Sequence, residues 1–153
     1  MILDAHGIRV DVPRGWDARI FRRSESAVDV PGAGFRDAVP QSGFTDPVLH
    51  LANFALPPER GDYGSGAVDA MGPGGVFVAL VEFGPESVGS ALFSGRDVPR
   101  LRGGEFSARG LQRPHRSAAG AQRFFVDAGR AFCCYAVVGS ATRRSALAAL
   151  VDD

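Results

Sequence analysis

The stretch AQRFFVDAGRAFCCYAVVG, residues 121–139, contains two apolar runs that are separated by a short turn sequence. Both runs are rich in aromatic and β-branched residues, which favour extended strands. Between them, Ala128 and Gly129 supply the glycine-containing pair that is typical of a tight hairpin connection. The sequence therefore predicts a β-hairpin that turns at Ala128-Gly129, and the rest of the sheet is built outward from it.

A second strongly β-prone segment is VFVALVEF, residues 76–83. Because successive side chains on a strand point to opposite faces, this strand presents two apolar faces. One face carries Phe77, Ala79, Val81 and Phe83, and the other carries Val76, Val78 and Leu80. A strand that is apolar on both faces lies inside a sheet that is covered on both sides. We therefore predict that strands 76–83 and 130–139 are the central strands of a mainly antiparallel sheet.

Shorter patterns flank these two strands. Apolar and polar residues alternate on either side of PRG within residues 7–23, which predicts two short strands joined by a turn. Residues 48–56 have strand composition, and the glycine-bounded residues 64–75 allow one or two helical turns. The remaining segments predict loops, a long one at 24–47 and another at 84–116 with a strand near residues 104–111.

The last residues have a helical pattern. Ser140 or Thr142 can cap a helix N-terminus, and an apolar stripe follows at Leu147, Leu150 and Val151. This predicts a helix over residues 141–151 that packs on one face of the sheet. Strands that do not alternate regularly with helices are typical of the α+β class. We therefore expect one α+β domain over residues 1–153, with a mainly antiparallel sheet and this C-terminal helix.

Three stretches carry a resemblance to known proteins: GIRVDVPRGW at 7–16, VFVALVEF at 76–83, and FFVDAGRAFCCYAVVGSATRRSALAALV at 124–151. In these stretches the chain resembles a group of uncharacterised small actinobacterial proteins and, more distantly, the Mog1/PsbP-type α/β/α sandwich. The resemblance implies a sandwich fold. It also implies a non-enzymatic binding or assembly subunit, which is the usual role of such domains. It assigns no functional residue.

Composition restricts the function classes. The chain has 153 residues, of which 45% are hydrophobic, and its 17 basic residues are all arginine. A chain without lysine has no Schiff-base lysine and no phosphate-loop lysine, which excludes pyridoxal enzymes and classical phosphate-loop NTPases. The first residues contain no apolar stretch of signal-peptide length, and no apolar run reaches the ~20 residues of a membrane span. We therefore expect a cytoplasmic protein without a membrane segment.

The two cysteines, Cys133 and Cys134, are adjacent in a predicted strand. Their side chains point to opposite faces, and their Cα atoms, ~3.8 Å apart, are closer than the usual ~4.4–6.8 Å of a disulfide. We expect both thiols to be free and at least one to be buried in the core.

The three histidines, His6, His50 and His115, are scattered, with no neighbouring ligands at metal-binding spacing. His50 lies between Leu49 and Leu51, as a half-buried strand residue would. We expect no metal site and no cofactor. Catalytic groups can nevertheless assemble from distant positions. The alternative function is therefore that of a small hydrolase with a Cys–His or Ser–His pair.

Charge is unevenly distributed along a chain whose net charge is zero. Residues 1–95 contain seven arginines and twelve acidic residues, whereas residues 96–144 contain ten arginines and three acidic residues. Within residues 96–116, six arginines accompany only Asp97 and Glu105. This loop either pairs with the acidic first half of the chain or contacts an anionic partner. For the second case, the predicted contact residues are Arg96, Arg100, Arg102, Arg109, Arg113, Arg116, Arg143 and Arg144.

These observations favour a non-enzymatic protein-interaction or assembly module over an enzyme. The sequence pI near 6.8 and the lack of a basic stripe interleaved with aromatic residues argue against a nucleic-acid partner. Arginine forms bidentate contacts with carboxylates, so a protein with an acidic surface is the expected partner. Homo-oligomerisation is left open by the sequence.

Overall fold

A computed structural model describes residues 1–23 and 46–140. The strands in chain order are β1 Ile2–Ala5, β2 Ile8–Asp11, β3 Asp17–Arg22, β4 Pro47–Ala52, β5 Val76–Phe83, β6 Gly95–Arg96, β7 Ala119–Asp127 and β8 Arg130–Val138. One α-helix, α1 Ser65–Ala70, lies between β4 and β5. Four single 3₁₀ turns lie between β5 and β7, at Pro85–Ser87, Ala91–Phe93, Gly103–Glu105 and Ala108–Gly110.

Six strands form the main sheet in the order β3-β4-β5-β8-β7-β6. Every pairing in it is antiparallel except that of β6 with β7, which is parallel. The strands β5 and β8 occupy the centre, which confirms the predicted placement of strands 76–83 and 130–139. The hairpin between β7 and β8 is also confirmed. Ala128 and Gly129 have φ angles of 47° and 75°, as in a two-residue hairpin turn of the primed type.

Both faces of the sheet are covered, because β5 and β8 are apolar on both sides. On the face that we call the helix side, α1 packs its buried residues against the sheet; this cluster includes Ala67, Val68, Phe77, Val81 and Val137. On the opposite face, which we call the hairpin side, the β1–β2 hairpin packs against the sheet; its buried contacts include Ile8, Val12, Leu49, Leu51 and Phe132. Each fully buried Val or Phe side chain stabilises the fold by about 1.5–3 kcal/mol.

Arg130 attaches the β1–β2 hairpin to the main sheet. Its Nε and Nη2 donate hydrogen bonds to the two carboxylate oxygens of Glu82 on β5. The same guanidinium donates to the main-chain oxygens of Gly7, at 2.7 Å, and His6, at 3.1 Å, in the turn between β1 and β2. The Glu82 carboxylate raises the pKa of Arg130. The Arg130 side chain therefore forms an ion pair with Glu82 and, at the same time, binds the turn of the β1–β2 hairpin.

The expected α+β class is wrong. Among the described residues 42% are in strands and 15% are helical, and no helix there exceeds six residues, so this part of the chain is mostly β. The helix predicted at 141–151 lies outside the described residues. The class differs because α1, the one α-helix of the described residues, has only six residues and is bounded by Gly64 and by the turn sequence GPGG at 72–75.

Two local expectations also change. The two strands predicted within residues 7–23 exist, but they belong to different sheets, since β2 pairs with β1 and β3 pairs with β4. The strand predicted near residues 104–111 is replaced by two 3₁₀ turns and a single bridge from Ser107 to Gly120. The long loop predicted at 24–47 lies outside the described residues except for its last two positions.

Candidate functional site

The segment that carries the predicted contact arginines wraps around the β7 edge of the main sheet. Main-chain hydrogen bonds join Asp97 to Val126 and Ser107 to Gly120. Four apolar side chains anchor the segment and its flanks: Phe93 and Leu111 on the helix side, and Leu101 and Phe106 on the hairpin side. Because the first and last anchors lie on one face and the middle two on the other, the segment crosses the sheet edge twice, and its polar residues lie at the rim of the sheet.

All six arginines of this segment are exposed to solvent. We call them the arginine rim: Arg96, Arg100, Arg102, Arg109, Arg113 and Arg116. Arg96 lies in β6, and Arg109 lies in a 3₁₀ turn that packs against β7. The arginines are therefore spread along the sheet edge, since Arg96 pairs with Val126 near the end of β7 and the turn with Arg109 follows Ser107, which bridges to Gly120 near its start.

Most of the arginine rim has no acidic partner within the described residues. Arg113 contacts Asp69 of α1, with an Nη1 to Oδ2 distance of 3.5 Å. The other five make no ion pair with a carboxylate in the described part of the chain. Glu105, inside the segment, is already occupied, because it accepts a hydrogen bond from the Arg102 main chain and pairs with Arg123. Among the described residues, an ion pair with the acidic first half of the chain is therefore formed by Arg113 alone of the six.

Arg143 and Arg144, the other two predicted contact residues, lie outside the described residues. Three exposed apolar side chains precede or enter the rim segment: Val88, Leu92 and Val98, which are 38%, 60% and 69% exposed. Val98 lies between Arg96 and Arg100 in sequence. Protein interfaces combine apolar side chains with arginine in this way.

The cysteines lie where they were predicted. Both thiols are free, Cys133 is buried and Cys134 is half-buried. Burial raises the pKa of Cys133 to about 12, with a smaller contribution from Cys134, and raises the pKa of Cys134 to about 11. Thiols with such pKa values are almost entirely protonated at neutral pH, so they are poor nucleophiles.

We expect both thiols of the native chain to react slowly with an aromatic disulfide reagent at pH 7.5. The rate should be lower by at least about tenfold than that of the same chain in denaturant, because native thiolate is scarce and shielded. The measurement is the time course of the released chromophore with and without urea. Rapid modification of both thiols before unfolding would contradict the core assignment.

His50 on β4 is fully buried, although half-burial was predicted. Its ring packs edge-on against Phe21 and Phe77, with centroid distances of 5.0 and 5.2 Å. Nε2 lies 2.8 Å from the Asp62 main-chain oxygen, and Nδ1 lies 3.1 Å from Nε of Arg60. Since a carbonyl only accepts and a guanidinium only donates, Nε2 carries the proton and Nδ1 accepts. Burial lowers the pKa of His50 to about 4, so the ring is neutral at pH 7.

The other two histidines contact nitrogen donors. Nδ1 of His6 accepts from Nε of Arg22, and Nδ1 of His115 accepts from the main-chain nitrogen of Ser117. In residues 1–23 and 46–140, no histidine therefore forms a hydrogen bond with a serine or cysteine side chain. The same part of the chain contains no group of three His, Cys, Asp or Glu residues that could hold a metal ion.

A cleft that the sequence did not reveal opens beside the buried histidine. Its volume is about 1000 Å³, and it is bounded by β3, by the loop at residues 58–62, by the start of α1 and by Arg113. The one signal in the sequence was His50 itself, a polar residue within the apolar run 48–52. Its partner Arg60 could not be found from spacing, because the loop between them has no regular period.

Comparison with known proteins gives no relative: the chain matches no protein-family profile, no curated protein and no solved structure. The resemblance to the Mog1/PsbP-type sandwich therefore stays a prediction. No helix in the described part of the chain is long and apolar enough to cross a membrane. Function has to be inferred from the arginine rim, the cleft and the contacts of the histidines.

Proposed function

We propose that this protein is a non-enzymatic interaction module that binds an acidic protein surface through the arginine rim. The observation that carries the proposal is the set of five exposed rim arginines that have no carboxylate partner among the described residues. Their guanidinium groups are free to form bidentate contacts with carboxylates of another protein. The proposal includes a cytoplasmic location, where both free cysteines would stay reduced.

The anchoring of the segment supports binding. Phe93, Leu101 and Phe106 are 5%, 7% and 2% exposed, so the backbone that carries the arginines is held by buried contacts. A segment that is ordered before binding loses less conformational entropy when a partner docks. Exposed Leu92 and Val98 add apolar area next to the charges. Together they provide the mixture of arginine and apolar contact that protein interfaces use.

The contacts of the histidines favour this proposal over the hydrolase alternative. A catalytic base must accept a proton from a nearby nucleophile, with a free ring nitrogen directed at it. Both ring nitrogens of His50 are engaged by Asp62 and Arg60, and Nδ1 of His6 and His115 accepts from nitrogen donors. The thiols are protonated by burial, as described above.

The test compares two variants of equal net charge. Arg100→Ser/Arg109→Ser removes two unpaired rim arginines, and Arg9→Ser/Arg14→Ser removes two exposed arginines outside the rim. Proteins captured by the native chain from its own cells are identified by mass spectrometry, and an acidic partner is then purified. Its dissociation constant is measured by calorimetry for the native chain and both variants.

We expect the rim variant to weaken binding about fivefold or more, with an unchanged melting temperature, because each exposed ion pair contributes up to ~1 kcal/mol. The control variant should bind within about twofold of the native chain. Binding should also weaken as the Debye length falls from ~10 Å at 0.1 M salt to ~3 Å at 1 M. Equal binding by the two variants would refute a role for the rim.

A further inference from the structure

Arg60 lines the cleft, and its guanidinium group is held in one orientation. Its Nε donates to Nδ1 of His50 at 3.1 Å, and its Nη1 donates to the main-chain oxygen of Pro57 at 2.6 Å. The guanidinium carbon also lies 5.5 Å from the centre of the Phe21 ring. These three contacts leave Nη2 as the guanidinium nitrogen that makes no hydrogen bond with the described residues.

His50 holds Arg60 in place through a hydrogen bond that the buried ring itself requires. It is the one fully buried polar side chain in the described part of the chain, and burying a polar ring is unfavourable unless both of its nitrogens are hydrogen-bonded. One nitrogen is bonded to the loop main chain at Asp62, and the other accepts from Arg60. The buried ring therefore orients one particular guanidinium at the surface of the cleft.

Among the described residues, no carboxylate forms an ion pair with Arg60. Among the acidic residues nearby, Asp62 lies 3.5 Å from Arg23, Asp69 lies 3.5 Å from Arg113, and Asp17 pairs with Arg19. None of them lies within ion-pair distance of Arg60. Burial and the nearby charge of Arg19 lower the pKa of Arg60, and the carboxylate of Asp17, which is paired with Arg19, opposes them in part.

We propose that the cleft binds a small oxyanion, a carboxylate or a phosphate group, at Nη2 of Arg60. A fixed guanidinium matches the geometry of such groups and needs little ordering on binding. Arg22 also lines the cleft and adds positive charge. Three carboxylates share the lining: Asp62 and Asp69, which are paired with arginines, and the exposed Glu59, which opposes an anion. Among the six rim arginines, only Arg113 lines this cleft, and it is paired with Asp69. The site is therefore separate from the five rim arginines that have no carboxylate partner among the described residues.

The probes are sodium acetate and sodium phosphate, titrated into the ¹⁵N-labelled chain at constant ionic strength, with sodium chloride as the blank. Amide signals of residues 57–66 and the Arg60 Nε–H signal report binding. We expect saturable shifts with one of the two oxyanions or with both, and the tighter probe identifies the group that fits. Shifts that fail to saturate, or that chloride reproduces, would overturn the proposal.

Variants assign the effect to Arg60. Arg60→Gln should weaken binding at least tenfold, whereas Arg113→Gln, which also lines the cleft but removes a cation already paired with Asp69, should stay within about threefold. Unchanged binding in Arg60→Gln would overturn the site.

Glu59→Gln gives a second, independent reading if Arg60→Gln does not fold. Glu59 is exposed and its side chain forms no ion pair with the described residues, so this variant should fold normally. It should bind the oxyanion about twofold to threefold more tightly, since an opposing charge near the site is removed. Weaker or equal binding would contradict an oxyanion next to Arg60.

Discussion

Lowering the pH from 6.5 to 4 is expected to reduce the free energy of unfolding by about 3 kcal/mol through His50 alone. The pKa of His50 is lowered from 6.5 to about 4 in the folded chain. Between these values the unfolded chain binds a proton that the folded chain does not, so stability falls as the pH falls, by ~1.4 kcal/mol per unit. Above pH 6.5 the neutral ring leaves stability intact, and below pH 4 both states are protonated.

The variant for this test is His50→Gln, which keeps one donor and one acceptor but does not titrate. Urea unfolding of the native chain and the variant is measured at half-unit steps from pH 4 to 7.5. The difference in unfolding free energy between the native chain and the variant should change by about 3 kcal/mol between pH 6.5 and pH 4. Other titrating groups, such as Asp46, whose raised pKa acts in the opposite direction, are common to both chains and cancel.

His6→Gln is the matched control, because His6 is exposed. It should retain the steep loss of stability between pH 6.5 and 4. If His50→Gln folds too weakly for urea titration, the ring signals of His50 in the native chain give its pKa directly by NMR. Parallel curves for the native chain and His50→Gln, or an NMR midpoint above 6, would contradict this account of the buried ring.

Replacing Arg130 with Met is expected to lower the free energy of unfolding by about 2–3 kcal/mol. The change leaves the Glu82 carboxylate, which is only 13% exposed, without its partner, and an unpaired buried charge is costly. It also removes the two hydrogen bonds that hold the turn between β1 and β2. Hydrogen exchange of residues 2–11 should therefore accelerate more than that of β5 and β8.

The control for Arg130→Met is Arg113→Met, because Arg113 also pairs with a carboxylate, that of Asp69, but these two side chains are 66% and 60% exposed. Exposed ion pairs contribute up to ~1 kcal/mol, so the control should lose less than Arg130→Met. The double change Arg130→Met/Glu82→Leu should recover part of the loss, since it leaves no buried charge unpaired. Equal losses in Arg130→Met and Arg113→Met would show that Arg130 has no special role.

The central part of the fold could be predicted from the sequence because it depends on local patterns. The period-two alternation of residues 76–83 and 130–138 determines which side chains share a face. The turn at Ala128-Gly129 then sets the register of the hairpin, and the exposure of the six rim arginines follows from their charge. The assignment to the α+β class was wrong because it relied on helices, and the one α-helix of the described residues is only six residues long.

The sequence by itself determined the hairpin, the two central strands, the inward location of the cysteines and the position of the arginine-rich segment, since each is a property of neighbouring residues. Only the tertiary structure decided which charges are compensated. Arg130 meets Glu82 across 48 positions and Gly7 across 123 positions, and Arg60 meets His50 through an irregular loop. Such contacts follow no period along the chain, because they are set by strand order and loop geometry. The cleft beside His50 and the rim arginines that have no carboxylate partner among the described residues are therefore visible only in the folded molecule.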